Sequence, residues 1–227
     1  MRSNVIVAVG SLLLISNTAA AQKDSLSEQS RGHGPAVAWL VPVGIAASST
    51  LDAELREWSQ GGHTRFLDHL AKSVNPLGTA HVLVPAIAAT YVSALLTGHE
   101  SLASGTLKTA AAYVASDLVE SAVKPVIGRQ RPHVEGNSHR FHPFTANGDW
   151  HSFPSAHVTH ITALAEAISL QAHSAPISTL CGSLVTLVAW DRVYEDQHWT
   201  SDVTATIALS SVVSAATIRW LDSHRHH

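Results

Sequence analysis

Three short stretches in the second half of the chain carry side chains able to do chemistry on an anion. The first is Lys124-Pro125-Val126-Ile127-Gly128-Arg129-Gln130-Arg131-Pro132, with a lysine and an arginine seven positions apart ahead of a proline. The second, Ser152-Phe153-Pro154-Ser155-Ala156-His157, reads as a loop turning into a helix. Ser152 is a good N-cap, Pro154 suits a first turn, and Val158, Ile161, Leu164, Ala165 and Ile168 follow at helical spacing. The third holds Asp191 and Arg192, then His198, then Asp202 four residues further on. Taken singly, each is an ordinary helix end or core group. Together they supply three cations, two histidines, a hydroxyl and a carboxylate able to orient an imidazole.

That inventory binds a tetrahedral oxyanion and attacks it. Lys124, Arg131 and Arg192 are expected to hold phosphate oxygens, the arginines in forked geometry. The Ser155 hydroxyl and the backbone N–H of Ala156 add donors, and free N–H groups at Ser155, Ala156 and His157 gather at a positive helix end. At i,i+4 spacing the Asp202 carboxylate is expected to accept the Nδ1–H of His198, leaving Nε2 as nucleophile. His157 then serves as general acid, and the intermediate is a phosphohistidine. Asp149 lies close enough in sequence to pair with one of the cations. Positioning and charge neutralisation meet the main demands of phosphoryl transfer. The histidines of the 128–150 loop show no Cys/His or H-E-x-x-H spacing, so no metal is expected and vanadate should inhibit.

The blocks resemble the signature of the type 2 phosphatidic acid phosphatase and vanadium haloperoxidase superfamily: K-x6-R-P, then P-S-G-H, then S-R-x5-H-x3-D. Order and internal spacing agree from Lys124 to Asp202. The resemblance implies a helical bundle with the blocks at one end of its core, and the same roles for His198 and His157. Two positions depart from it: Ala156 stands where the family usually has glycine, and Asp191 where it has serine. Alanine keeps the N–H but resists a positive φ, and Asp191 either ties Arg192 down or repels an anion. The same superfamily includes vanadate-dependent haloperoxidases, in which vanadate is the cofactor. Those relatives tend to be longer than this chain.

The elements that must position these groups read as helices, five or six of about 15 to 20 residues with no alternating strand pattern, hence an all-α bundle. Residues 1–21 read as a signal peptide ending in Ala19-Ala20-Ala21, and 22–34 as a flexible mature N-terminus. The helical domain is expected over 35–222, followed by a polar tail over 223–227. Within it, Pro42 should bend or divide the first helix, and Asp52, Glu54, Arg56 and Glu57 should be exposed between Leu51, Leu55 and Trp58. A short amphipathic helix over Phe66 to Ala71 is followed by the most hydrophobic run, Leu77 to Leu96. Leu102 to Val123 should form a helix with Asp117 and Glu120 on one face, either a solvated stripe or a pairing with a site cation. Three more helices should cover about Ser155 to Leu170, Ile177 to Trp190 and Thr200 to Leu221.

Composition narrows the setting. A formal charge of −3 gives no basic face, so nucleic acid is not an expected partner. Cys181 is the single cysteine, which rules out an intrachain disulfide and leaves a small core residue. The leading expectation is a periplasmic or secreted phosphatase acting on phosphomonoesters of small molecules. The alternative is an inner-membrane lipid phosphate or isoprenyl diphosphate phosphatase. Lys108, Asp117, Glu120, His160 and Glu166 interrupt the helices and argue against a multi-span protein, whereas Leu77 to Leu96 is long enough to span.

Overall fold

The computed structural model describes residues 40–224, so the expected signal peptide, the stretch over 22–34 and the last three tail residues lie outside it. Helix α1 spans Leu40–Gln60, α2 Arg65–Val74, α3 Ala80–Leu96 and α4 Glu100–Ile127. A short α5 covers Pro132–Glu135, and α6 (Ala156–Ala172), α7 (Ala175–Tyr194) and α8 (Thr200–Ser223) complete the series. A 3₁₀ turn, Asn75–Gly78, joins α2 to α3. No strand occurs among the described residues, only one bridge between Arg129 and Phe141. The all-α expectation holds. Pro42 falls in the first turn of α1, and the residues before Leu40 on which the expected bend or division depends lie outside the described ones.

Helix α6 is the axis of the bundle, packed against α4, α7 and α8. Its side facing α7 and the α2–α3 turn buries Val74, Ile161, Ala165, Cys181, Val185 and Val188, backed by Leu70, Leu77 and Leu164. On the α8 side the seam is built differently, from small hydroxyl residues. Thr206 Oγ1 accepts the N–H of Ser155 at 3.0 Å, Ser210 donates to Thr159 O at 3.0 Å, and Ser214 donates to Ala163 O at 3.1 Å. Each contact advances four residues on both helices, so α6 and α8 run parallel in register and begin at the same end. Small side chains let the backbones approach, and each hydroxyl finds a buried partner.

The remaining core helices bring their other ends to that same place. Helix α4 finishes with Lys124 in its last turn, and Gly128 stops it with φ +58°. A Cβ at Gly128 would lie 2.0 Å from His142 O, so the return of the loop past this point requires glycine. Helix α7 finishes with Arg192 in its last turn. Two helix starts and two cation-bearing helix ends thus meet at one end of the bundle.

Candidate active site

The three blocks converge there. Lys124, Arg131 and Arg192 are all close enough to bear electrostatically on both His157 and His198. Ser155 is fully buried as the N-cap of α6, and its Oγ has no partner among the described residues. A buried hydroxyl left without an acceptor costs stability, which suits a group that meets one in a ligand. The N–H of Ser155 is not free as expected, since Thr206 takes it. Ala156 and His157 keep the helix-start position in which N–H groups have no acceptor one turn back.

Ser152 is not the N-cap. The helix starts three residues later than that, after a cis Phe153–Pro154 peptide, and Ser152 does something else. Its carbonyl accepts the Nδ1–H of His198 at 2.5 Å, and its hydroxyl donates to Asp202 Oδ2, also at 2.5 Å. Asp202 therefore does not receive the His198 proton directly. Its other bonds come from the Trp199 N–H at 3.0 Å and from Arg129 Nη1 at 2.5 Å. At i,i+4 the carboxylate is drawn back along α8 to close its first turn, and Ser152 bridges the gap to the imidazole. The chemical result is the one expected: a carbonyl only accepts, so Nδ1 carries the hydrogen and Nε2 presents its lone pair. Burial, with Arg131 and Lys124 nearby, holds the His198 imidazole well below its ordinary pKa and keeps it neutral.

Of the two outcomes expected for Asp117 and Glu120, Glu120 takes the pairing with a site cation, whereas Asp117 stays half exposed and meets a histidine instead. Glu120 is buried and forms an i,i+4 ion pair with Lys124, while Asp117 meets His160. Arg192 is tied to Asp191, with Nε 2.8 Å from Oδ2. Arg131 is held instead by neutral acceptors, Gln197 Oε1 at 2.8 Å and Gly148 O at 3.0 Å. Asp149 reaches Arg131 through its backbone carbonyl, which accepts the Arg131 N–H at 2.8 Å.

A sequence model of the PAP2 superfamily matches residues 105–225. The chain belongs to that superfamily. Two solved structures share its architecture. The crystal structure of Aquifex aeolicus LpxE aligns with 74% of this chain and 95% of its own, at 17% identity and a TM-score of 0.60. The crystal structure of the first transmembrane PAP2 type phosphatidylglycerolphosphate phosphatase from Bacillus subtilis aligns with 96% of each chain, at 18% identity and a TM-score of 0.62. No curated protein matches the chain in sequence.

The two departures from the PAP2 pattern have local explanations. Ala156 is the first residue of α6 and is not among the residues with positive φ, so alanine needs no strained backbone there. Asp191 is fully buried and ties Arg192 down, the first of the two outcomes expected for it. With Lys124 on Glu120 and Arg192 on Asp191, two of the three cations already face a carboxylate, while the Arg131 guanidinium is hydrogen-bonded to neutral acceptors.

Sequence reasoning missed a buried network that frames this PAP2 site. Arg129 donates from Nη1 to Asp202 and to Ser201 Oγ, and from Nη2 to Asp52 Oδ2 at 2.8 Å and Ser138 O at 2.8 Å. Asp52 also accepts the N–H of Ser201 at 2.9 Å and its hydroxyl at 2.6 Å. Asp52 was expected on an exposed face but is 1% exposed. Four residues on, Arg56 grips Asp196 with two bonds of 2.7 Å, so α1 braces both sides of the loop carrying His198. The signal for Arg129 was present, as a second arginine two residues before Arg131. For Asp52 there was none, because its neighbours Glu54 and Glu57 are solvated and alternate as it does.

Proposed function

We propose that this protein is a membrane-embedded phosphatase that hydrolyses a lipid phosphate through a phosphohistidine on His198. The observation that carries the chemistry is the neutral, aimed imidazole of His198 among three cations and the unpartnered Ser155 hydroxyl. Arg131, Lys124 and Arg192 neutralise the phosphoryl oxygens, and Ser155 Oγ with the Ala156 N–H donates to one of them. Nε2 of His198 attacks phosphorus in line as His157 delivers a proton to the departing alcohol oxygen. Water then attacks the phosphohistidine, with His157 taking its proton and His198 leaving as neutral imidazole. Side-chain cations do the neutralising, so no metal is required in these steps.

The membrane setting is favoured by what the helices turn outward. In α3 only Leu83 and Ala94 are buried, and Val82, Val84, Val92, Leu95 and Leu96 are exposed without a charged residue among them. A helix apolar all round is stable when buried in protein or in lipid. Exposed Leu107, Val114 and Leu118 continue this surface across α4, and Val212 and Trp220 lie on α8. Helix α8 is long and apolar enough to cross a membrane, as is the segment Arg65–Gly78 plus Ala80–Leu96, bent by 52°. Of the charges that argued for a soluble protein, Glu120 pairs with Lys124 in the interior, Asp117 with His160 in a half-exposed pair, and Lys108 with the exposed Asp222 near the end of α8. Paired in this way, they are compatible with a lipid surround. This supports the lipid-phosphate alternative over a soluble periplasmic enzyme.

The test is a substrate panel on protein extracted with and without detergent, covering lipid phosphates, lipid diphosphates and soluble phosphomonoesters. Detergent-dependent extraction, preference for a lipid phosphate, insensitivity to chelator and inhibition by vanadate are expected. A fully soluble chain that prefers sugar phosphates would refute the membrane reading. Loss of activity on chelation, restored by a divalent metal, would refute the mechanism.

A further inference from the structure

The 3₁₀ turn Asn75–Gly78 lies outside the three blocks and outside the matched superfamily span, yet it touches one of the two reacting histidines. Asn75 Oδ1 stands 3.3 Å from Nε2 of His157. An amide oxygen only accepts, so Nε2 carries the hydrogen that faces the departing oxygen. The bond is long enough to yield when an ester oxygen arrives. Burial and the cations Arg192, Lys124 and Arg131 push the imidazole pKa down to about 4, and a bound phosphate dianion offsets those cations when it arrives. At the other end of the turn, a Cβ on Gly78 would meet His157 Cβ at 2.7 Å, so the backbone lies directly against that side chain.

The turn is in turn clamped. Gly78 O lies 3.0 Å from Nδ1 of His160, and Asp117 Oδ1 lies 2.8 Å from its Nε2. Both ring nitrogens face groups that accept, so the ring is held at both ends, between the turn and α4. Tyr113 stacks on that ring at 4.9 Å between centroids. His160 lies one turn along α6 from His157, so one rigid helix carries both the acid and the anchor of the turn facing it.

We infer that Asn75 is a positioning residue for the leaving-group step, holding the acid proton on Nε2 of His157, and that the His160–Asp117 pair fixes the height of its turn. This rests on the phosphatase reading above, with His157 as the general acid.

The experiment compares kcat/KM and pH profiles on an alkyl phosphate and on nitrophenyl phosphate for Asn75→Ala, Asn75→Asp and His160→Gln. Asn75 caps α2 through its backbone N–H to Ala71 O, so side-chain changes leave that cap intact. Asn75→Ala should lose about 10-fold on the alkyl ester and less than about threefold on the aryl ester, whose leaving group barely needs a proton. Asn75→Asp puts a carboxylate beside His157, opposing the burial and the cations that depress it, and should move the basic limb of the alkyl profile up by about one pH unit. His160→Gln should show the same alkyl-selective loss. Equal losses on both esters with an unmoved basic limb would overturn the assignment. A parent protein inactive on both esters and on the lipid phosphates of the panel would overturn the phosphatase reading itself, and this inference with it.

Discussion

The two histidines of the site are held in opposite ways. His198 is enclosed, with Nδ1 2.5 Å from a carbonyl whose residue is itself bonded to Asp202, and Asp202 to Arg129. His157 is partly open to solvent and meets one amide oxygen at 3.3 Å. A nucleophile must attack phosphorus along one line, and rigidity serves it. A general acid must meet leaving oxygens that differ between substrates, and slack serves that. In the proposed mechanism the buried network thus serves the invariant half of the reaction and the 3₁₀ turn the variable half.

Replacing His198 with Ala tests the invariant half most severely. In the proposed mechanism only His198 forms the phosphohistidine, so kcat should fall by about 10⁴-fold or more on alkyl and aryl phosphates alike. The same residue sets the acid limit. Its pKa is depressed in the folded enzyme, so the free enzyme still holds a neutral nucleophile below the ordinary histidine value of about 6.5. The acid limb of kcat/KM on an aryl phosphate should therefore lie well under pH 6.5. A limb at 6.5 would mean that the imidazole is solvated and not aimed as described.

Much of this site was legible because its chemistry is local in sequence. Lys124 and Arg131 share one block, and Arg192, His198 and Asp202 another, so helix ends and spacing suffice to place them. The helices were legible for the same reason, and α6, α7 and α8 depart from the expected limits by at most four residues at either end. What could not be read is whatever depends on partners far along the chain. Asp52 and Arg129 are 77 positions apart, and Asn75 and His157 are 82 apart. An i,i+4 carboxylate looks like a histidine partner until the fold shows Ser152 lying between them.

The variable half predicts selectivity. His157→Ala should lose about 10²- to 10⁴-fold on alkyl phosphates, where the departing alkoxide needs its proton, and far less on nitrophenyl phosphate. Equal loss on both, with residual aryl activity in the His198 variant, would reverse the two roles and the comparison with them.

Asp202→Asn separates aiming from attack. Because Asp202 acts on His198 only through Ser152, the imidazole keeps its carbonyl partner and the loss should be smaller, about 10- to 100-fold and alike on both ester types. The variant also leaves Arg129 with one carboxylate in place of two, so it should melt earlier by the equivalent of about 1–3 kcal/mol. A loss as large as that of His198→Ala without a stability change would place the carboxylate in the chemistry itself.

The smallest effect is expected at Ala156, where the chain departs from the family glycine between the two histidines' supports. Glycine would matter there if the oxyanion turn needed a positive φ, but Ser155 is extended at φ −86° and ψ 116° and Ala156 already begins α6. The N–H offered to a phosphoryl oxygen is the same in either residue. Glycine adds only backbone freedom, worth about 0.5–1 kcal/mol in a helix interior and less at a first position. The start of α6 is also pinned from outside by Thr206 on Ser155 and by Ser210 on Thr159. Ala156→Gly should therefore leave kcat/KM and the vanadate inhibition constant within about threefold of the parent, since 0.6 kcal/mol is a factor of about three. A change of more than tenfold in either direction would show that this turn moves when the anion binds. His198 and His157 would then share a mobile support, and the contrast between an aimed nucleophile and an adaptable acid would fail.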